Sequence, residues 1–169
     1  AQSVPIGPAD APSAIVGPVI DEAAVTRIRD YIDLGRREGR VALQAKLPPE
    51  CADGFFVPPT LIADLKPDAR VAQEEIFGPV LAILRAADFD AAIDIANNTR
   101  YALTGGVFSR SPAHIEQARR DFAVGNLYIN RRVTGSQVDA QPFGVFKLRG
   151  NWVKAGSQDY LLHFMDARC

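Results

Sequence analysis

A chain of 169 residues, 47% hydrophobic and 23% charged, has the composition of one globular domain that buries about 70% of its unfolded surface, which excludes disorder. Nineteen basic against twenty acidic side chains leave a net charge of -1. No basic field is present to hold a phosphate backbone, so nucleic acid is excluded as a partner.

No apolar run reaches the roughly 18 residues of a membrane span, so no membrane partner is expected. Ala1 to Gly7 lacks the regions of a signal peptide, and the absence of a starting methionine reads as a chain that begins mid-protein. Cys51 and Cys169 are too few for a disulfide framework, and a reducing, cytoplasmic setting is expected. Asn97-Asn98-Thr99 fits a glycosylation sequon, which carries little weight without a secretion signal.

In chain order, residues 1 to 20 hold four prolines and two glycines and read as an extended lead-in. Asp21 caps a helix whose Val25, Ile28, Ile32 and Gly35 share one face and which ends near Gly39. Val41 to Ala45 reads as a strand. The run from Phe55 to Ile62 is broken by Pro58-Pro59 and suits a sheet edge.

Beyond it come a strand from Val80 to Leu84, a helix from Asp88 to Thr99 and a strand from Leu103 to Ser109. A helix from Pro112 to Ala123, capped by Ser111, and a strand from Gly125 to Asn130 follow. Two consecutive crossover units of this kind predict an α/β fold, a mainly parallel sheet layered by helices. Loops after the carboxyl ends of such strands are where sites lie, and Arg131 to Gly150 is one.

Two stretches have no periodicity: Glu74-Glu75-Ile76-Phe77-Gly78-Pro79-Val80 and Gln141-Pro142-Phe143-Gly144. Each mixes aromatic rings, glycine and proline in the manner of loops that bring backbone and a flat ring to a ligand. The first resembles the E-E-x-F-G-P-V segment of the aldehyde dehydrogenase superfamily, and the second its Pro-Phe-Gly-Gly loop. Tyr101 to Ser109 and Gly125 to Asn130 match between them in order and spacing. Val16 to Ile20 is similar to the segment just after the family's nucleophile.

Asn130-Arg131-Arg132-Val133-Thr134-Gly135-Ser136, with Lys154-Ala155-Gly156 and Asp159 to Leu162, resembles the branch that oxidises glutamate semialdehyde to glutamate. That branch occurs alone or as the second half of bifunctional proline utilisation proteins. The resemblance implies that the chain is one incomplete catalytic domain with an oligomerisation-type tail, lacking the nucleotide-binding domain.

It further implies that Gly135 and Ser136 hold a substrate carboxylate and that Phe143 packs on its methylenes. Glu75 would accept from the ribose hydroxyls of NAD, and Phe77 would pack against that end of the cofactor. NAD is not expected to bind to this chain alone. The chemistry agrees: a carboxylate wants convergent N–H and O–H donors, an aromatic face holds an aliphatic stem, and a carboxylate fits a diol.

The plainer readings are a solvated carboxylate for Glu75, core packing for Phe77 and Phe143, and turn capping for Ser136. For Ser136 the two readings stand level. Cys51, in a proline-flanked loop, lacks the glycine-rich surroundings of the family's nucleophile and reads as an inert thiol. No catalytic residue is therefore assigned, and the resemblance places the nucleophile upstream of Ala1.

His114, on a helix face, and His163, in a terminal strand, have no metal-ligand spacing, so no metal is expected. The end of the chain departs from the family pattern at Val145, Arg149, Asn151-Trp152 and Ser157-Gln158. A valine in place of a glycine with positive φ would be strained by about 1–3 kcal/mol.

Two functions follow from the resemblance. One is the C-terminal part of an NAD-dependent dehydrogenase of glutamate semialdehyde, inactive alone and completed by the rest of a longer enzyme. The other is a non-catalytic module for assembly of a homo-oligomer.

Overall fold

The computed structural model of the chain describes residues 3–137, 140–144, 147, 154–166 and 168. It divides into two compact units, Ala1–Arg85 and Ala86–Cys169.

The first unit is built on helix α1, Glu22–Glu38. The Asp21 carboxylate accepts from the Ala24 N–H at 2.7 Å, satisfying one of the donors a helix start leaves free. Val25, Ile28 and Ile32 recur at helical spacing and enter a core with Val57, Ile62, Leu65, Val71 and Ile76. Ile28 and Ile62 are fully buried, and each such side chain contributes about 1.5–3 kcal/mol through burial.

The core backs onto a three-stranded sheet ordered β1-β2-β3: Arg40–Gln44, Thr60–Ala63 and Val80–Ala82. Strands β1 and β2 are antiparallel, whereas β2 and β3 are parallel with Thr60 opposite Val80. The expectation that Pro58-Pro59 mark an edge strand is corrected here, because the strand starts after them and is central. Neither proline needs a ladder N–H there. The Pro59 carbonyl accepts from Ala45 N–H at 2.9 Å, and Thr60 N–H donates to the Pro79 carbonyl at 2.9 Å.

A short helix α2, Arg70–Gln73, was not foreseen. Its N-cap, Ala69, has no capping side chain. Glu38, at the end of α1, accepts instead from the N–H groups of Arg70 and Val71 at 3.2 and 3.0 Å. Such a distant cap leaves no local signature.

In the second unit, helix α3 is Phe89–Asn97, strand β4 Thr104–Val107, helix α4 Pro112–Asp121 and strand β5 Asn126–Ile129. Asp88 caps α3 through the Ala91 N–H at 2.8 Å, and Ser111 caps α4 through His114 N–H at 3.4 Å. Strands β4 and β5 pair in parallel, Thr104 opposite Asn126 through Val107 opposite Ile129. This is the expected crossover, with Ile93, Val107 and Ala118 as its buried centre.

The first expected crossover is not a sheet pair: β3 takes its partner from β2 and β4 from β5. The α/β class stands, with parallel and mixed pairing. Asn97 donates to the Asp121 carbonyl at 2.7 Å and accepts from Ala123 N–H at 2.8 Å. The sequon asparagine thus joins the ends of α3 and α4.

His163 lies in a 3-10 helix, Gln158–Phe164, rather than in the expected strand. Tyr160 N–H donates to Ser157 at 3.1 Å and Met165 N–H to Leu162 at 3.3 Å, the i to i+3 closures of that helix. The Tyr160 ring meets Phe164 edge-on at 5.2 Å and His163 at 6.4 Å, contacts a strand would separate. Val145, Arg149, Asn151, Trp152 and Cys169 lie outside the described residues. Among the described residues no helix is long and apolar enough to cross a membrane.

Candidate functional site

In the first unit, the segment before β3 separates its two glutamates. Glu74 and Ile76 turn inward and Glu75 and Phe77 outward. The Glu74 carboxylate accepts from Arg70 Nε and Nη2 at 2.8 and 2.9 Å and from Tyr31 Oη at 2.6 Å. The Arg70 guanidinium, helped by the Tyr31 hydroxyl, holds this carboxyl down to about 2.

Ile76 is in the core. Glu75 is exposed, and Phe77 is 77% exposed with a backbone φ of +54°. Phe77 is in neither buried cluster of the described residues. A phenylalanine in the left-handed region costs of order 1 kcal/mol or more, so a strained, exposed ring stands beside an exposed carboxylate. An alternating segment alone does not tell which glutamate faces out; the Tyr31 and Arg70 partners decide it.

Cys51 is 1% exposed, and burial, with the Glu50 charge second, pushes its thiol above the ordinary value. A buried thiol held protonated is a poor nucleophile. Among the described residues no three His, Cys, Asp or Glu side chains gather in a metal-binding group.

The second unit brings Gly135, Ser136 and Phe143 to one cavity of about 490 Å³. Its walls are Leu103 and Thr104 at the start of β4, Tyr128 of β5, Val133 and Thr134 of the following loop, and Gln141, Ala155 and Gly156. That size suits a small organic ligand. Gly135 has φ +83°, a conformation that glycine adopts without strain. The Ser136 hydroxyl donates to the Gln141 carbonyl at 2.8 Å, so it braces the loop and keeps only acceptor capacity toward a ligand.

Several polar side chains that sequence reasoning passed over hold this wall. Asn126 donates to the Pro142 carbonyl at 3.1 Å and accepts from Gly144 N–H at 3.4 Å and Lys154 Nζ at 3.3 Å. Phe143 and Ala155 exchange backbone hydrogen bonds of 2.9 and 2.8 Å.

Asn130, with φ +55°, donates to the Ser109 carbonyl and accepts from the Ser109 N–H, each at 2.9 Å, and so fixes the loop's exit from β5. Lys147 Nζ caps the end of α3 through the carbonyls of Asn97 and Thr99 at 2.7 and 2.9 Å. Gly106 explains part of the Thr-Gly-Gly-Val strand: a Cβ there would stand 2.5 Å from Val133 Cγ1 on the cavity wall. Asparagines at strand ends were the available signal, since their amides readily bond nearby backbone.

A family model described as "Aldehyde dehydrogenase family" matches residues 1–169. The chain belongs to that family.

Among its relatives, a 1-pyrroline-5-carboxylate dehydrogenase 1 of Halalkalibacterium halodurans is 54% identical over 153 residues, 90% of this chain and 29% of that protein. A 1-pyrroline-5-carboxylate dehydrogenase of a Geobacillus species is 51% identical over 95% of this chain and 31% of its own length. A solved 1-pyrroline-5-carboxylate dehydrogenase from Thermus with bound NAD superposes at a TM-score of 0.91 with 45% identity, over 98% of this chain and 31% of the other. The proline utilization A protein of Bdellovibrio bacteriovorus gives 0.86 and 46%, covering 98% of this chain and 17% of its own. The chain thus spans about a third or less of the length of these relatives.

Proposed function

We propose that this chain is the C-terminal part of the catalytic machinery of an NAD-dependent dehydrogenase that oxidises glutamate semialdehyde, the open form of 1-pyrroline-5-carboxylate, to glutamate. The observation that carries this reading is the single cavity bounded by Gly135, Ser136 and Phe143. Phe143 offers an aromatic face for the methylenes, and the Gly135–Ser136 turn offers backbone N–H groups to a carboxylate.

Glu75 and Phe77 would hold the ribose and nicotinamide end of NAD. An exposed carboxylate suits a ribose diol, and an exposed ring covers an apolar edge. NAD would supply the hydride acceptor. The chain contributes binding and orientation, and no nucleophile, since Cys51 is buried and its thiol raised. Alone it is inactive; the reactive cysteine is supplied by another part of a longer enzyme or by an added partner.

A chimera tests this reading: the chain replaces the matching third of the Halalkalibacterium halodurans relative. NAD-dependent oxidation of glutamate semialdehyde should persist, with Glu75→Ala raising KM for NAD and Phe143→Ala raising KM for the aldehyde. A folded, NAD-binding chimera without turnover would contradict it.

One observation favours the second reading, a module for oligomer assembly. Leu161, Leu162, Phe164 and Met165 are 61–72% exposed in or next to the last 3-10 helix. Light scattering that shows a monomer at high concentration would remove that reading.

A further inference from the structure

The first unit carries a recess that the dehydrogenase reading does not use. It encloses about 250 Å³ and is lined by Arg27, Asp30, Tyr31, Leu34 and Arg37 of α1 and by Arg70 of α2. The five α1 positions follow the i, i+3, i+4, i+7, i+10 spacing of one helix face. Ten residues of rise, about 15 Å, separate Arg27 from Arg37. The volume is below that of pockets for drug-sized ligands and suits a molecule the size of an amino acid.

Arg70 is oriented in advance. The Glu74 carboxylate accepts from its Nε and Nη2 and from the Tyr31 hydroxyl, while Glu38 accepts from its backbone N–H. The Glu74 charge is thereby satisfied within the protein. The Tyr31 ring is left as a wall, and the Nη1 edge of Arg70 is left to donate.

Arg27, Asp30 and Arg37 are exposed, and their side chains have no ion-pair partner among the described residues. Arg27 and Asp30 stand one turn apart, a spacing at which opposite charges pair on a helix, yet no bridge joins them. The recess thus presents two uncompensated cations and one anion over a leucine and the face of a tyrosine. A bare dicarboxylate or phosphate would meet Asp30 as a like charge. A short aliphatic stem with two carboxylates and one ammonium satisfies every group.

We propose that this recess binds an acidic amino acid. Asp30 accepts from its ammonium, and Arg27, one turn away, donates to its α-carboxylate. Arg37 and the Nη1 edge of Arg70 donate to its side-chain carboxylate, and Leu34 and the Tyr31 ring cover its methylenes. The recess shares no lining residue with the cavity at Gly135 and Ser136, so each assignment holds or fails without the other.

The test is a resonance titration of the labelled 169-residue chain with L-glutamate and with glutarate, which lacks the ammonium. Each site is read by its own backbone amides, those of Asp30, Tyr31 and Leu34 for the recess. Glutamate should shift these signals saturably, with an affinity about threefold above that of glutarate. Asp30→Asn should lower glutamate affinity about threefold and abolish the preference, whereas Arg37→Gln should weaken both ligands alike. Both substitutions fall on exposed helix positions and leave the fold intact.

Glutamate shifts confined to Gly135 and Ser136 overturn the recess and leave the cavity's function standing. Shifts on α1 without shifts at Gly135 and Ser136 support the recess and count against the cavity. Equal response of the α1 amides to glutarate and glutamate, or a preference that survives Asp30→Asn, overturns the assignment to an amino acid.

Discussion

Replacing Asn126 by leucine keeps the side chain's size and removes its three hydrogen bonds, to the Pro142 carbonyl, the Gly144 N–H and the Lys154 ammonium. A neutral bond of this kind contributes about 1 kcal/mol and one to a charged group about 1.5–3 kcal/mol. The Gly144 and Lys154 contacts are long, at 3.4 and 3.3 Å, so the lower values apply. The expected loss is about 2 kcal/mol, confined to the loop that carries Phe143, which corresponds to about a 30-fold faster local opening.

The Phe143 and Ala155 N–H groups, which bond across to each other's residue, report that opening directly by amide hydrogen exchange. Exchange at Val107 and Ile129, in the paired strands β4 and β5, should be unaffected. Unchanged exchange at Phe143 and Ala155 in a folded Asn126→Leu variant would refute the view that this amide holds the loop.

Further outcomes are expected. The Glu74 carboxyl is held at about 2 against an ordinary 4.5, so its contribution is complete above about 4.5 and is lost as pH falls through 2. Denaturant titrations should show wild type losing stability across that window more steeply than Glu74→Gln. Gly106→Ala drives a Cβ toward Val133, which is 38% exposed and can yield, so stability should change by less than about 1 kcal/mol while the cavity narrows and glutarate affinity falls. Phe77→Ala should leave thermal stability within about 0.5 kcal/mol, because an exposed, strained ring adds nothing to the core. Cys51 should react with a thiol reagent only as fast as the native chain opens, at a rate that rises with denaturant.

Where local pattern decides structure, the residues were enough. Asp21 before an apolar stripe at helical spacing gave α1 nearly to the residue, and Ser111-Pro112 gave the start of α4. Pairing was less legible, because a strand's partner depends on distant chain. Pro58-Pro59 pointed to an edge, yet the strand that follows them is central and its proline carbonyl still takes part in the pairing. The 158–164 segment alternates like a strand, but ring contacts at i+3 and i+4 accompany a 3-10 helix.

For the site, Gly135, Ser136 and Phe143 were named from a resemblance and do line one cavity. The bracing by Asn126 and Asn130 was not visible, since each bonds to backbone 16 or more residues away in sequence.

The central claim is that the turn at Gly135 and Ser136 faces a carboxylate ligand. The most direct measurement is a resonance titration of the labelled chain with glutarate, following backbone amides. The account predicts saturable shifts that begin with the N–H signals of Gly135 and Ser136 and spread to Phe143. Shifts centred anywhere else, or none at saturating glutarate, would contradict it.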